Sequence, residues 1–196
     1  VSKAAATALV YAIRSETQDF GREYSAADRE MYDRLYPRID SRALSRIQLP
    51  RLPLSYFRNL HEGLENLRTV STLVVSHLGR LDQPDIVPEI ADLLLRLEGK
   101  TWSLCTGVHG ERIYLSIRTT NPRADAGRLM RRLLGRRGKG GGHGMMAGGW
   151  IELPGGDLSQ ARPLQEELGA RLAKALKKNP QRLAPVELAP KPAEPA

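Results

Sequence analysis

Residues 112–150 read RIYLSIRTTNPRADAGRLMRRLLGRRGKGGGHGMMAGGW. The first nine residues, RIYLSIRTT, predict a strand, because the residues before them, His109–Gly110–Glu111, are a hairpin signal. Asn121–Pro122 marks a turn, and residues 124–135 carry apolar side chains on one helical face and arginines on the other. The run GKGGGHG then predicts a glycine loop before a strand, GGWIELP. A strand, a helix, a loop and a strand in succession are typical of an α/β domain.

Similar patterns lie on both sides of this segment. TVSTLVVSHLG (69–79) predicts a strand, IVPEIADLLLRLEG (86–99) a helix, and TWSLCTGV (101–108) a strand in a hairpin with 112–120. ARPLQEELGARLAKALKK predicts a final helix. The order β-α-β-β-α-β-α predicts a mixed sheet with helices packed on it, an α/β fold of ordinary domain size.

The first part of the chain reads as helical. Residues 3–14 are rich in alanine, and Ser25 with Asp28 three residues later resembles a capping box for a second helix. Pro50 and Pro53 bracket an extended segment that suits a linker. We expect four regions: a helical region 1–50, a linker and bridging helix 51–69, an α/β domain 70–178 and a disordered tail 179–196 rich in Pro and Ala.

Positive charge is concentrated in one part of the chain. The formal net charge is +8. Between Arg118 and Lys139 lie eight basic side chains against a single acid, Asp125. Such a stripe attracts polyanions such as nucleic acid, nucleotides or polyphosphate, although it also suits a solvated helix face. We favour the anion-facing interpretation because the stripe leads into the glycine run.

Cysteine content and hydropathy limit the class of protein. Cys105 is the single cysteine, which excludes an intramolecular disulfide and fits a reducing cytosol, so we expect a cytoplasmic protein. No run of 18 apolar residues exists in the sequence, so we expect no membrane association. Cys105 lies among apolar residues, which favours a core position over a nucleophile.

The glycine run and its neighbours are the candidate binding site. Consecutive glycines bring bare backbone N–H groups close to a ligand, and such groups form anion-binding concavities. His143 adds a side-chain donor, and Arg118 could clamp a phosphate. The alternatives are a flexible connector and an exposed arginine at a strand end. The candidate residues are Arg118, Gly140, Gly141, Gly142, His143, Ala147 and Gly148.

These residues carry a family resemblance. Arg118, followed after about twenty residues and a helix by GGGHxxxAGG, resembles the DHH-associated domain. That domain follows the catalytic domain in RecJ-type exonucleases, bacterial oligoribonuclease and phosphoadenosine-phosphate phosphatases, and exopolyphosphatase-related proteins. The resemblance implies that the glycine run and His143 contact substrate phosphate or the terminal nucleotide.

The N-terminal helix resembles the last conserved motif of the DHH catalytic domain. The run ATALVYAIRSET (6–17) matches a motif whose Asp is a metal ligand in that family, and Glu16 stands at the matching position. The resemblance therefore implies Mn²⁺ or Mg²⁺, with Glu16 or nearby Asp19 as an oxygen ligand; a solvated loop acid is the alternative. The Asp-His-His triplet is absent from the sequence. We expect the metal to be held mainly by a further N-terminal domain, and this chain alone to be inactive.

The resemblance implies a metal-dependent phosphoesterase acting on short oligonucleotides or 3′-phosphonucleotides. Two alternatives remain: a non-catalytic nucleic-acid-binding module, as in an accessory domain of alanyl-tRNA synthetases, and an exopolyphosphatase-like protein. The helix-loop at residues 4–23 argues against a pure binding module. Stacking aromatics would favour nucleotide over polyphosphate, with Trp150 and Tyr114 as candidates. A homodimer is compatible with the sequence, which does not fix the oligomeric state.

Overall fold

The structure is a computed structural model, and it describes residues 1–21 and 24–188. The chain divides into two compact units, one over Val1–Leu52 and the other from Pro53 onward. The division lies close to the linker expected from Pro50 and Pro53.

The first unit is helical. It contains α1 (Lys3–Thr17), α2 (Ala26–Leu35) and α3 (Ser41–Gln48), with a short 3₁₀ turn after α2. The capping box predicted at the start of α2 is present, because Ser25 and Asp28 each bond the other's backbone N–H. A small core holds the helices together, and its buried residues are Ala6, Val10, Leu35 and Leu44.

The second unit is built on a mixed sheet, as the sequence predicted, but the sheet has seven strands where the predicted order contained four. The elements are α4 (Leu54–Glu65), β1 (Arg68–Val70), β2 (Leu73–Arg80), α5 (Ile86–Leu94), β3 (Trp102–His109), β4 (Arg112–Thr119), α6 (Ala126–Leu134), β5 (Gly138–His143), β6 (Met146–Glu152), α7 (Leu158–Ala175) and β7 (Ala184–Pro185). The strand order is β5-β6-β4-β3-β2-β1-β7, in which β2 and β3 are parallel and the other pairs are antiparallel.

Helices cover both faces of the sheet. Alternate residues of a strand point to opposite faces, so each strand contributes to two cores. On one face α4 and α5 pack with Val74, Leu78 and Cys105, which is fully buried as expected. On the other face α6 and α7 pack with Val75 and Leu104 among others. The result is a three-layer α/β/α domain.

The predicted glycine loop is wrong. Gly138–His143 forms β5, an edge strand paired with β6, and the turn between them is Gly144–Met145. Most of these glycines serve close packing rather than loop flexibility. A Cβ on Gly127 in α6 would lie 2.1 Å from the carbonyl oxygen of Gly142, so helix and strand meet backbone to backbone.

Two other expectations need correction. The single strand expected over 69–79 is a hairpin, because Ser71 adopts a left-handed φ of 50° and reverses the chain between β1 and β2. The disordered tail expected from residue 179 is wrong for its first part: a 3₁₀ helix covers Pro180–Arg182, and β7 pairs with β1. Residues 189–196 of that tail lie outside the described part of the chain.

Substituting Gly127 tests the contact between α6 and β5. Gly127→Ala should lower the free energy of unfolding by about 1–3 kcal/mol, because a methyl group has no room against the backbone of Gly142. The matched control is Gly141→Ala, since among the described residues nothing lies within 4 Å of a Cβ there. Urea unfolding measures both variants. Equal stability of the two would contradict the backbone contact.

Candidate functional site

A pocket of about 560 Å³ opens beside the β5–β6 hairpin. It lies on the face of the sheet that carries α5, at the edge where that helix no longer covers the strands. The first turn of α5 and the two residues before it form one wall, which consists of Pro84, Asp85, Val87 and Pro88. The hairpin and β4 form the remainder, so the sheet itself is the floor.

Three cross-strand rows make up that floor. Gly141, Gly148 and Ser116 stand side by side on β5, β6 and β4, and they form the central row. On one side lie Lys139, Trp150 and Tyr114, and on the other lie His143, Met146 and Arg118. The pocket is therefore a shallow trough of small residues between an aromatic row and a row that contains Arg118 and His143.

The glycines of the hairpin have two different roles. A Cβ on Gly140 or Gly149 would come within 2.6 or 2.7 Å of Leu134 in α6, so both are required for packing. Among the described residues, nothing lies within 4 Å of a Cβ on Gly141, and the closest atom to one on Gly148 is a carbonyl oxygen at 3.7 Å. The fold does not need glycine at these two positions. A side chain at either would instead fill the pocket.

Arg118 is a largely buried charge at the site with several partners in the chain. Its side chain is only 12% exposed, and its Nε lies 3.2 Å from a carboxylate oxygen of Asp92 on α5. Its Nη1 donates to Ser116 Oγ at 2.7 Å and to the carbonyl of Ile117 at 3.2 Å. The side chain is therefore not the freely exposed strand-end arginine that was the alternative. Asp92 and Ser116 fix a guanidinium at the pocket wall.

Trp150 forms the aromatic side of the pocket and is held by cations. The guanidinium carbon of Arg112 lies 4.1 Å from the centroid of the Trp150 ring, and Lys139 Nζ lies 5.7 Å from it. Arg112 is in turn bonded to Glu152, and this hydrogen bond raises the pKa of the guanidinium. A half-buried indole with its position set by neighbours can stack against a planar ligand.

All seven predicted substrate-binding residues line this one pocket. Their role in binding stays a prediction, but the geometry places them together. Sequence reasoning missed Asp92 and the first turn of α5, because nothing in the local pattern of residues 84–92 shows which strands that helix covers. Ser116 alternates with Tyr114 and Arg118 along β4, and that period could have identified it.

The basic stripe does not form one surface around the glycine run, contrary to expectation. Arg118 and Lys139 line the pocket, whereas Arg128, Arg131 and Arg132 lie on the exposed side of α6. Helix α6 packs on the opposite face of the sheet from the pocket. Two of the eight cations of the stripe, Arg118 and Lys139, therefore face the pocket that contains the glycine run.

The described residues do not form a complete metal site. Within 1–21 and 24–188, no group of three or more His, Cys, Asp or Glu side chains could hold a metal ion. Glu16 lies exposed on α1, and its role as a ligand stays a prediction. Asp19 is hydrogen-bonded by Arg14, which lowers the pKa of the Asp19 carboxyl.

In the described part of the chain, every helix is too short or too polar to span a bilayer.

Comparison with known sequences gives two matches. Residues 71–176, more than half of the chain, match the sequence model of the DHHA1 domain. The uncharacterized protein MJ1633 of Methanocaldococcus jannaschii is 33% identical over 153 residues, which cover 78% of this chain and 31% of that protein. The chain therefore spans about a third of the length of this relative.

One of the solved structures compared with the chain supports the same fold. An exopolyphosphatase-related protein from Bacteroides fragilis superposes with a TM-score of 0.64 at 18% identity, over 91% of this chain and 53% of that one. The pGpG-specific phosphodiesterase PggH from Vibrio cholerae aligns over 83% of this chain and 58% of its own, with 15% identity and a TM-score of only 0.34.

Replacing Asp92 tests whether it positions Arg118. Asp92→Ala removes an acid close to the pocket, so charge alone predicts tighter binding of an anion. We expect the opposite, a roughly ten-fold loss of affinity for pyrophosphate, because Arg118 loses the partner that orients it. Isothermal titration calorimetry measures the affinity.

The control for Asp92 is Asp82→Ala, which removes an exposed acid at the start of the loop before α5. It should leave pyrophosphate affinity unchanged or slightly increased. An increase for Asp92→Ala as well would show that Asp92 acts only through its charge.

Proposed function

The chain belongs to the DHHA1 domain family, and from this premise we propose that it is the substrate-binding part of a metal-dependent phosphoesterase that acts on short oligonucleotides or 3′-phosphonucleotides. The observation that carries the proposal is the pocket floor. A Cβ on Gly141 would meet no described atom within 4 Å, and one on Gly148 would meet a carbonyl oxygen at 3.7 Å. Both residues lie between the guanidinium of Arg118 and the indole of Trp150. Bare backbone, a cation and an aromatic ring together suit a nucleotide.

In this proposal each side of the trough binds one part of the ligand. Arg118 and His143 bind the phosphate from one row, where a guanidinium can donate two parallel hydrogen bonds. The base lies over the central row, where a Cβ would exclude it, and stacks against Trp150. Lys139 lies next to the ring and adds a second positive charge.

In this proposal the chain itself supplies few of the metal ligands. The described residues hold no complete ligand set, so we place Mn²⁺ or Mg²⁺ mainly on residues outside this chain. The length of the archaeal relative, which the chain covers over 31%, leaves room for such a domain. The present residues bind and orient the phosphate, and hydrolysis requires the remainder.

Nucleotide and polyphosphate are distinguished by Trp150. Trp150→Ala should weaken binding of a 5′-phosphorylated dinucleotide roughly ten-fold, because base stacking on an aromatic contributes about 1–3 kcal/mol. Its affinity for a short polyphosphate should stay the same, since that ligand has no ring. Arg118→Ala should weaken both ligands by roughly ten-fold or more, because a charge-assisted hydrogen bond is lost.

The matched control for Arg118→Ala is Arg96→Ala, an exposed arginine just after α5 that does not line the pocket. Calorimetry with both ligands gives the affinities, and thermal melting checks that each variant folds. Equal losses for the two ligands in Trp150→Ala would favour the polyphosphate alternative. Unchanged binding in Arg118→Ala would refute the pocket as the phosphate site.

Activity of the chain alone separates binding from catalysis. Purified residues 1–196 with Mn²⁺ should bind the dinucleotide and release no mononucleotide, because the metal ligands are largely elsewhere. Chromatography of the reaction products measures the release. Mn²⁺-dependent release of mononucleotide over many turnovers would contradict the assignment of the metal site to residues outside the chain.

A further inference from the structure

Trp150 is covered on one side by an arginine that lies outside the pocket. The guanidinium carbon of Arg112 lies 4.1 Å from the centroid of the Trp150 ring, which is the distance of a stacked cation–π contact. Trp150 is among the residues that line the pocket, whereas Arg112 is not. The guanidinium therefore covers a part of the indole that does not face the pocket, and the pocket side of the ring stays open to a ligand.

The strand register brings Arg112 to this position. On β4 and β6 the cross-strand neighbours are Arg112 with Glu152 and Tyr114 with Trp150. Residues two apart on a strand point to the same face of the sheet, so Arg112 is a diagonal neighbour of Trp150. Diagonal neighbours are within reach of aromatic and long side chains. The register therefore places an arginine where it can lie across the indole.

Glu152 sets the orientation of this guanidinium. Arg112 donates from Nη2 to one carboxylate oxygen of Glu152 at 3.3 Å and from Nε to the other at 3.5 Å. Two parallel hydrogen bonds to a carboxylate restrict the plane of a guanidinium, which a single bond does not. Glu152 therefore acts on Trp150 through Arg112, although it has no printed contact with the ring itself.

Folding stability is a weak explanation for this arrangement. The side chains of Arg112 and Glu152 are 43% and 55% exposed, and ion pairs with this much exposure contribute little to the free energy of unfolding. A guanidinium stacked on an indole does restrict the rotamers that the indole can adopt. For a ring that binds a ligand by stacking, such a restriction lowers the entropy lost on binding.

We propose that Arg112 and Glu152 are positioning residues, which hold Trp150 so that the base of a nucleotide stacks on the pocket side of its ring. Guanidinium, indole and base then form three successive layers. Neither residue lines the pocket, and both act through the indole, unlike Lys139, which lies 5.7 Å from the same ring centroid and does line the pocket. The inference rests on the proposed function, because it requires a ligand that carries a base.

A long-range effect of charge is the alternative role for Arg112. A cation near the pocket strengthens the binding of every anion, whether or not the anion carries a base. A positioning role is selective, because it affects a ligand that stacks on Trp150 and leaves a ligand without a ring unaffected. A dinucleotide and a short polyphosphate therefore separate the two roles when the variant keeps the positive charge.

The test is Arg112→Lys in the full chain, which keeps the positive charge but loses the planar guanidinium and its paired hydrogen bonds. Affinity for the 5′-phosphorylated dinucleotide, measured by calorimetry, should fall about three-fold, because an exposed cation–π contact contributes only modestly. Affinity for a short polyphosphate should stay the same. An equal loss for both ligands, or no loss for the dinucleotide, would overturn the positioning role.

A second variant, Glu152→Gln, sets charge against position. Loss of an acid near the pocket strengthens the binding of both anions by charge alone, whereas loss of the paired hydrogen bonds should weaken the dinucleotide about two-fold. The matched control is Glu167→Gln, which removes the same charge from the ion pair with Arg137 on α7, on the other face of the sheet. It should leave both affinities unchanged. Tighter binding of the dinucleotide in Glu152→Gln would contradict the role of Glu152.

Fluorescence of the chain without ligand tests the cover on the indole by itself. Trp102 is only 9% exposed, so acrylamide quenching of tryptophan emission reports mainly on the half-buried Trp150. Arg112→Lys should raise the quenching constant, and Glu167→Gln should not. An unchanged constant in Arg112→Lys would show that the guanidinium does not cover the ring, which would overturn the inference. If the constant rises but the parent chain binds no dinucleotide, the cover on the ring stands and the proposed function fails.

Discussion

The contact between α6 and the β5–β6 hairpin is the constraint on which the site depends. At Gly127 the helix touches the backbone of Gly142, and Leu134 of the same helix packs on Gly140 and Gly149. A side chain at Gly127, Gly140 or Gly149 would clash with these neighbouring atoms. On the face of the hairpin that packs against α6, glycine is required at Gly140 and Gly149. On the opposite face, Gly141 and Gly148 carry no side chain, so this face of the hairpin is open to a ligand.

The second feature of the site is the ion pair between Arg118 in the sheet and Asp92 in the helical layer. Arg118 on β4 forms an ion pair with Asp92 on α5, so two elements that are distant in sequence fix the position of the guanidinium. The bare hairpin provides the room, and this pair provides a charge of defined position. The comparison with the DHHA1 domain covers both elements, since they lie within residues 71–176. The binding role of the pocket is our proposal and rests on this arrangement.

Much of this could be predicted from the sequence, and the exceptions have physical causes. The mixed α/β domain followed from β-branched runs and turn signals for the strands and from periodicity for the helices, and Cys105 was correctly placed in the core. The glycine run was read as a loop because glycine has low strand propensity, and only the tertiary contact with Gly127 explains a strand there. The basic stripe was read as one surface because sequence order does not show that α6 and β4 point their cations to opposite faces.

We propose that a phosphate-bearing ligand lies on the hairpin floor between Arg118 and Trp150. Nitrogen–proton correlation spectra of the labelled chain, titrated with a 5′-phosphorylated dinucleotide, test it most directly. We expect saturable shifts concentrated on the amides of Gly141, Gly142 and Gly148 and on the indole N–H of Trp150. Shifts confined to α6 and α7, or none at the hairpin at saturation, would contradict it.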